Sequence, residues 1–481
     1  MVWPKGMMRM KITKFPSLKE NWLLFLLLLG ILICFYLFLS QFLMEQNFYP
    51  SVDSQIPSRV LSDKLNGKGF LEADSFDIPL FLYYSYWIYP QWPSLFSIIL
   101  SGIVFSFLIL FVLANFKTRL VRICLPMVLI FSPSSLFVVT NQPLMALIIV
   151  FFSFTLYFLL EFYTTQRVFY LFMAAIIFGL QFYIQFQFFW LGILLILFFV
   201  VNYTKTGLIL NYLITMLFPL LFFVLSWFFL VWIFEGDVGL LTREIFELDF
   251  QNGLKCLGDC FQENLKHRWP VMLLYLFILL RIGKYRTFFR SPLFITFISP
   301  FILIFILGST GNKTTSSVFI TLSLINLIIL FPYLGPLINE KRNKIIIMLF
   351  LIFILVYDLF SFAVMRTGKE EDFFIALKED FRDTQIEEYR EVASQLEGFS
   401  SILTNESITF HVIYFYRGEG KIITDGSSIY RTTLANPSYF TDAFLYKKEE
   451  GKKKLDIERI ADDYPKGHFE SEHFVILKTK E

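Results

Sequence analysis

The chain has 481 residues, 56% of them hydrophobic and 62 of them Phe, with a formal net charge of +2. A soluble domain holds roughly 45–50% apolar residues, so this composition excludes an ordinary soluble globular protein. With the charge near zero and no basic run interleaved with aromatics, nucleic acid is excluded as an expected partner.

Apolar runs long enough to cross a bilayer recur through residues 1–366, which is the pattern of a polytopic α-helical membrane protein. The N-terminus is basic (Lys5, Arg9, Lys11, Lys14, Lys19) and leads into an apolar run at 22–43. No small-residue cleavage site follows, so the run reads as an anchor and not as a removable signal peptide. Further spans are expected at 93–115, 121–138, 143–161, 168–182, 188–202, 208–234, 270–283, 292–308, 317–335 and 345–366, about eleven transmembrane helices in all. The stretch 168–202 is one unbroken apolar run, too long for a single helix through a hydrocarbon core of about 30 Å. It divides most naturally around Gln181, Gln185 and Gln187.

Lys and Arg crowd the N-terminal tail, the segment with Lys117, Arg119 and Arg122, the segment 281–290 and the segment 341–344. They are sparse in the alternate loops, so the positive-inside rule puts the N-terminus in the cytoplasm and the C-terminus outside. An integral protein of a bacterial inner membrane is expected. Its parts are a transmembrane domain over 1–366, a first outer loop at 44–92, a second long outer loop at 235–269, and a soluble extracytoplasmic α+β domain at 367–481.

In the first outer loop, Ile56, Val60, Leu61 and Leu65 form a helical pattern that ends at the turn Asn66-Gly67-Lys68-Gly69. The aromatic segment Pro79 to Tyr89 reads as an interfacial helix. Asp53 stands at the head of the helical pattern, about ten residues past the first span. It is either one more acid in a water-exposed loop or a carboxylate held rigidly over a groove. Arg59, one to two turns on, would pair with Asp53 or with a phosphate.

The second loop contains Lys255, Lys266, His267 and Arg268, the last three immediately before Trp269-Pro270 at the mouth of a span. Snorkelling beside an aromatic anchor is one reading of that cluster. Contact with a lipid phosphate is the other, and Arg268 suits it best because a guanidinium grips phosphate bidentately. Cys256 and Cys260 stand four apart, a separation compatible with a bridge if the segment is helical. Asp358 is an acid well inside a predicted span, a position that marks either function or a hydrated structural role.

After residue 366 the charge rises and the apolar runs shorten. Asp380 to Leu396 has the period of an amphipathic helix. Strand-like runs follow at Ser401–Thr404, Ser407–Phe415, Lys421–Thr424 and His473–Leu477. The charge run Lys447–Lys454 reads as a solvated loop.

Asp53, the helical run, Leu65-Asn66-Gly67-Lys68-Gly69-Phe70, Pro79-Leu80 and the long span after them together resemble the first outer loop of GT-C glycosyltransferases. These polytopic enzymes, of the protein O-mannosyltransferase and aminoarabinose transferase types, take a sugar from a polyprenyl-phosphate carrier. The segment Phe131 to Leu144 is similar to the family's third span, outer turn and fourth-span start, with Asn141 where the family has Asp. Gly179-Leu180 followed by Gln185 is similar to a family segment ending in Lys, and Ser54 takes the place of a second loop acid.

The resemblance implies an inverting glycosyltransferase acting on the outer face, with Asp53 as the catalytic acid of the loop. A carboxylate there accepts or orients the acceptor's proton during attack on the anomeric carbon. Cations near the outer surface stabilise the phosphate that leaves. The expected substrate contacts are Arg59, Lys266, His267, Arg268, Asn141 and Gln185. The partners would be a polyprenyl-phosphate-linked sugar, a lipid, glycan or protein acceptor, and membrane lipids, with the donor's tail in a groove between Phe-rich spans. No cofactor is assigned with certainty, and a divalent metal is left open. Two alternatives stand beside this reading: an inactive GT-C-like scaffold that binds lipid or a partner, and a transporter or flippase.

Overall fold

The structure is a computed structural model and describes residues 18–46, 55–66, 95–116, 119–184, 190–193, 195, 209–235, 249–282, 292–309, 316–330, 341–364, 371–377, 384–424, 427, 429–448, 460 and 468–479. The chain separates into two compact units, one of Met1–Leu39 with Ser97–Phe374 and the other of Ser40–Phe96 with Ile375–Glu481.

The first unit is helical: α1 (Leu18–Glu45, whose last turns belong to the second unit), α3 (Leu95–Asn115), α4 (Arg119–Phe131), α5 (Pro133–Asn141), α6 (Pro143–Thr165), α7 (Val168–Leu180), α8 (Ile209–Glu235), α9 (Phe250–His267), α10 (Trp269–Ile282), α11 (Pro292–Ser309), α12 (Ser316–Leu330), α13 (Lys341–Val364) and the start of the short α14 (Glu371–Ala376). Four of these are long and apolar enough to cross a membrane, within Asn21–Glu45, Ser97–Asn115, Pro143–Tyr163 and Leu210–Leu230. The pair α4–α5, bent by 47°, makes a fifth if counted as one span. The remaining apolar helices are shorter. These elements make the chain an α-helical, membrane-embedded protein.

α6 lies at the centre, with Leu147, Ile148, Phe152 and Leu160 wholly buried. α8 keeps Leu210, Ile214, Phe218, Leu221 and Leu225 exposed, an apolar surface that water does not tolerate and lipid does. The long apolar run does divide near Gln181. α7 ends there in a 3-10 turn, Gln181–Tyr183, and the buried Gln181 amide donates to Thr155 Oγ1 at 3.5 Å.

The expected second outer loop is in large part a helix. α9 begins where the Asp249 side chain accepts from the backbone N–H groups of Gln251 and Asn252 at 2.9 and 3.1 Å, an N-cap that satisfies two otherwise orphaned donors. Neither Cys256 nor Cys260 is in a disulfide. Side chains four apart on a helix hold their Cβ atoms about 5–6 Å apart, beyond the roughly 3.5–4.5 Å that a bridge needs.

The second unit is an α/β sandwich. Its sheet has the order β2-β1-β3-β5-β4, built from β1 (Ser401–Thr404), β2 (Lys421–Ile423), β3 (Ala443–Lys447), β4 (Phe469–Glu470) and β5 (Phe474–Lys478). β1 runs parallel to β2 and β3, while β5 is antiparallel to β3 and β4. Ile402, Ile422, Leu445 and Ile476 face α15 (Thr384–Leu396) and α16 (Glu406–Phe415). Leu403, Ile423, Phe444 and Leu477 face Tyr430 and Leu434 of α17 (Tyr430–Ala435). Covered on both sides, these strands are apolar without clean alternation.

The run Ser407–Phe415, expected as a strand, is the helix α16. It joins the parallel strands β1 and β2, a connection that requires a crossover and takes a helix as its usual form. β3 had no counterpart among the expected strands. The start of the expected charged loop is also tied down, because Lys448 Nζ sits 2.8 Å from Glu470 Oε1.

The helix of the first polar loop, α2 (Gln55–Leu65), belongs to this second unit and packs on α16 and β2. Val60 is buried, and Leu61 and Leu65 pack against the sheet's main core. Ser62 Oγ and Asn66 Nδ2 donate to the Ile422 carbonyl at 3.1 and 2.7 Å. Burying one valine side chain contributes about 1.5–3 kcal/mol. We therefore expect Val60→Asp to free α2 and open residues 55–66 to protease in the membrane-bound chain, with the sheet retained. Cleavage at the wild-type rate would contradict the docking.

On α15, Glu388 accepts from the backbone N–H of His473 at 2.7 Å, meets its ring Nδ1 at 2.8 Å and accepts from Ser471 Oγ. Burial alone pushes this carboxyl up, but the hydrogen bonds from Ser471 and His473, with the His473 charge, hold it below the usual carboxylate range. A depressed carboxylate stabilises the fold above its unfolded value near 4.5 and loses that contribution as pH falls through the folded value. Calorimetry of the purified chain should find the unit's melting temperature falling below about pH 4.5. Glu388→Gln should flatten that slope and cost about 1.5–3 kcal/mol at pH 7.

Candidate functional site

A proline makes the site. Pro133 has no N–H to give the preceding turn, so α4 stops at Phe131 and α5 restarts at a 47° bend. Every residue of α5 is buried. The bend thus delivers three hydroxyls, Ser132, Ser134 and Ser135, to an apolar interior.

Arg268 reaches this bend from the other side. It is the C-cap residue of α9, its backbone N–H donating to the Asn264 carbonyl at 2.8 Å, and α10 restarts at once with Trp269 and Pro270. Proline in the first turn suits the new helix, where its missing N–H is not needed. The Arg268 side chain is 3% exposed and its Nε donates to Ser134 Oγ at 3.2 Å.

Asp358, on α13, is also 3% exposed, and the Arg268 guanidinium acts on its carboxyl electrostatically, as it does on the neighbouring Tyr357. Trp269 closes the group with its ring 6.0 Å from that of Tyr357. Two charges at this depth each carry a desolvation penalty of several kcal/mol, which their mutual attraction offsets only when both are present.

The expected site residues fall in different places. Arg268 and Asp358 lie within electrostatic range of each other. Asn141 ends α5, seven residues and about 10 Å of helix beyond Ser134, buried, with neither amide atom hydrogen-bonded among the described residues. Arg59 is half-buried on α2, in the second unit, between the buried Ser58 and Val60. Lys266 and His267 form the last turn of α9, and their side chains lie outside the described residues, as do Asp53, Gln185 and the segment Pro79 to Tyr89. No group of acids, histidines and cysteines suited to a metal ion occurs among the described residues.

Ser134 was not singled out from sequence, although a Ser-Pro-Ser-Ser run inside an apolar stretch is the signal that points to it. A separate cavity of about 330 Å³ is lined by Phe107, Phe111, Phe154, Phe158, Phe169 and Tyr170, among others. It lies between α3, α6 and α7 and is almost wholly apolar, with the size and lining of a site for hydrocarbon.

No protein-family model, curated protein or solved structure matches this chain.

The Arg268–Asp358 group makes a sharp expectation for stability. Arg268→Ala should strand a buried carboxylate and cost about 3–5 kcal/mol, whereas Arg268→Met combined with Asp358→Leu should recover most of that loss. Thermal unfolding in detergent measures both, and equal loss in the single and double variants would rule out the pairing.

Proposed function

We propose that this chain is an integral membrane glycosyltransferase of GT-C type, moving a sugar from a polyprenyl-phosphate carrier to an acceptor on the outer face. The observation that carries this reading is the capture of the first loop's helix by the C-terminal sheet. Hydrogen bonds from Ser62 and Asn66 to Ile422 require both segments to lie on one side of the membrane. The chain between them therefore crosses an even number of times. Any even number satisfies this, ten crossings after the loop and so about eleven in all among them, and with the basic N-terminus inside the second unit is extracytoplasmic. Asp53 stands two residues before α2 in the sequence.

In this reading Asp53 accepts or orients the acceptor's proton, and the leaving phosphate needs no strong acid because it is already a stable anion. Arg268, with Lys266 and His267 beside it, is the donor-phosphate contact. Ser134 orients its guanidinium, and Asp358 balances its charge when no phosphate is bound. Arg59, Asn141 and Gln185 are further substrate contacts. The aromatic cavity takes part of the prenyl tail. It lies towards the Asn115 end of α3, the cytoplasmic end in this topology and far from the headgroup. The acceptor is a lipid, glycan or protein, and a divalent metal is not required by any described residue. The location is a bacterial inner membrane.

One observation favours a second reading. Asn141 is buried without a hydrogen-bond partner among the described residues, at the position where a second carboxylate would serve catalysis, as in a scaffold of the same build that binds lipid without turnover. Transfer from a purified polyprenyl-phosphate sugar separates the two. Asp53→Asn should lower the transfer rate by about 10²-fold or more, with folding and membrane insertion unchanged. Transfer at the wild-type rate in that variant would remove Asp53 from the chemistry.

A further inference from the structure

α9 has three faces, although an ordinary amphipathic helix has two. At about 100° per residue, Gly253, Cys256, Cys260 and Asn264 share one arc, which is turned into the protein. A Cβ on Gly253 would collide with Ser309 and sit 2.9 Å from the Phe305 carbonyl oxygen, so this arc needs glycine to lie close on α11. The Asp249 backbone N–H donates to the Ser309 carbonyl at 2.9 Å and fixes the helix start on the end of α11. α9 therefore cannot rotate to hide its other faces.

The second arc holds Phe250, Leu254, Phe261 and Leu265, which are 60%, 63%, 42% and 48% exposed. The third holds Gln251, Asn252, Lys255, Asp259 and Gln262, all exposed. No polar residue interrupts the apolar arc, and no large apolar residue interrupts the polar one.

We propose that α9 lies along the membrane–water interface, with Phe250, Leu254, Phe261 and Leu265 seated among the acyl chains of the bilayer and the Lys255–Asp259 arc in water. A helix held in one rotation with adjoining apolar and polar arcs meets two solvents at once, which an interface supplies. The neighbouring helix identifies the apolar solvent as lipid. α10 follows after one residue and exposes Trp269, Leu273, Leu276 and Leu280 at intervals of four, three and four, a single apolar line down a membrane-embedded helix. Trp269 heads that line at the junction, the depth at which tryptophan concentrates in bilayers. The lipid-facing line of α10 and the apolar arc of α9 thus form one surface turning from the membrane interior to its rim. The inference is independent of the glycosyltransferase reading.

The test uses the full chain reconstituted in phosphatidylcholine vesicles containing a lipid with a carbene-generating group on its acyl chain. After irradiation, mass spectrometry should find adducts on Phe250, Leu254, Phe261 and Leu265 and none on Gln251, Asn252, Asp259 or Gln262. In the same vesicles a water-soluble amine reagent should modify Lys255. Adducts spread over both arcs, or Lys255 protected, would overturn the interfacial placement. An apolar arc without adducts beside a labelled α10 would mean that a protein surface or a second copy of the chain covers it, and the proposal would fail.

Discussion

The carbonyl of Ile422 accepts hydrogen bonds from two side chains more than 350 residues earlier in the chain. β2 is an edge strand, and an uncovered edge invites pairing with another chain. Here a helix from the first polar loop packs on it and supplies the donors. The second unit is therefore built from both ends of the sequence, and everything between has to leave the membrane on the side where it entered. That packing places the helix of the first polar loop and the C-terminal sheet in one unit.

Within the first unit, the organising feature is a conflict between apolar surroundings and two charges. Arg268 and Asp358 come from helices far apart in sequence, and neither is tolerable alone at 3% exposure. The bend at Pro133 supplies the hydroxyl of Ser134 that orients the guanidinium. A polar group this deep in a membrane protein is costly enough to need a reason. The aromatic cavity lies elsewhere in the unit and is nearly free of polar atoms.

Much was legible because membranes impose simple rules. Most of the expected spans contain an apolar helix among the described residues, four or five of them long enough to cross a membrane, since a long apolar run has few options other than a helix in hydrocarbon. Strands β1, β2 and β5 were visible as short apolar runs. α16 was misread as a strand because Ser407–Phe415 is rich in β-branched and aromatic residues, and the need for a crossover outweighs that local preference. The Cys256–Cys260 bridge failed on helix geometry, which composition does not reveal.

The order of polar and apolar residues was enough by itself to determine a membrane-embedded helical chain with a polar loop near one end and a polar domain at the other. Partition between water and hydrocarbon depends on each residue's own chemistry, so it is readable one segment at a time. Only the tertiary structure decided that α2 packs on the far sheet, that Arg268 donates to Ser134 within electrostatic range of Asp358, and that α9 has a third face. Those outcomes depend on which distant surfaces fit each other, and close packing encodes that fit in shapes that no single segment contains.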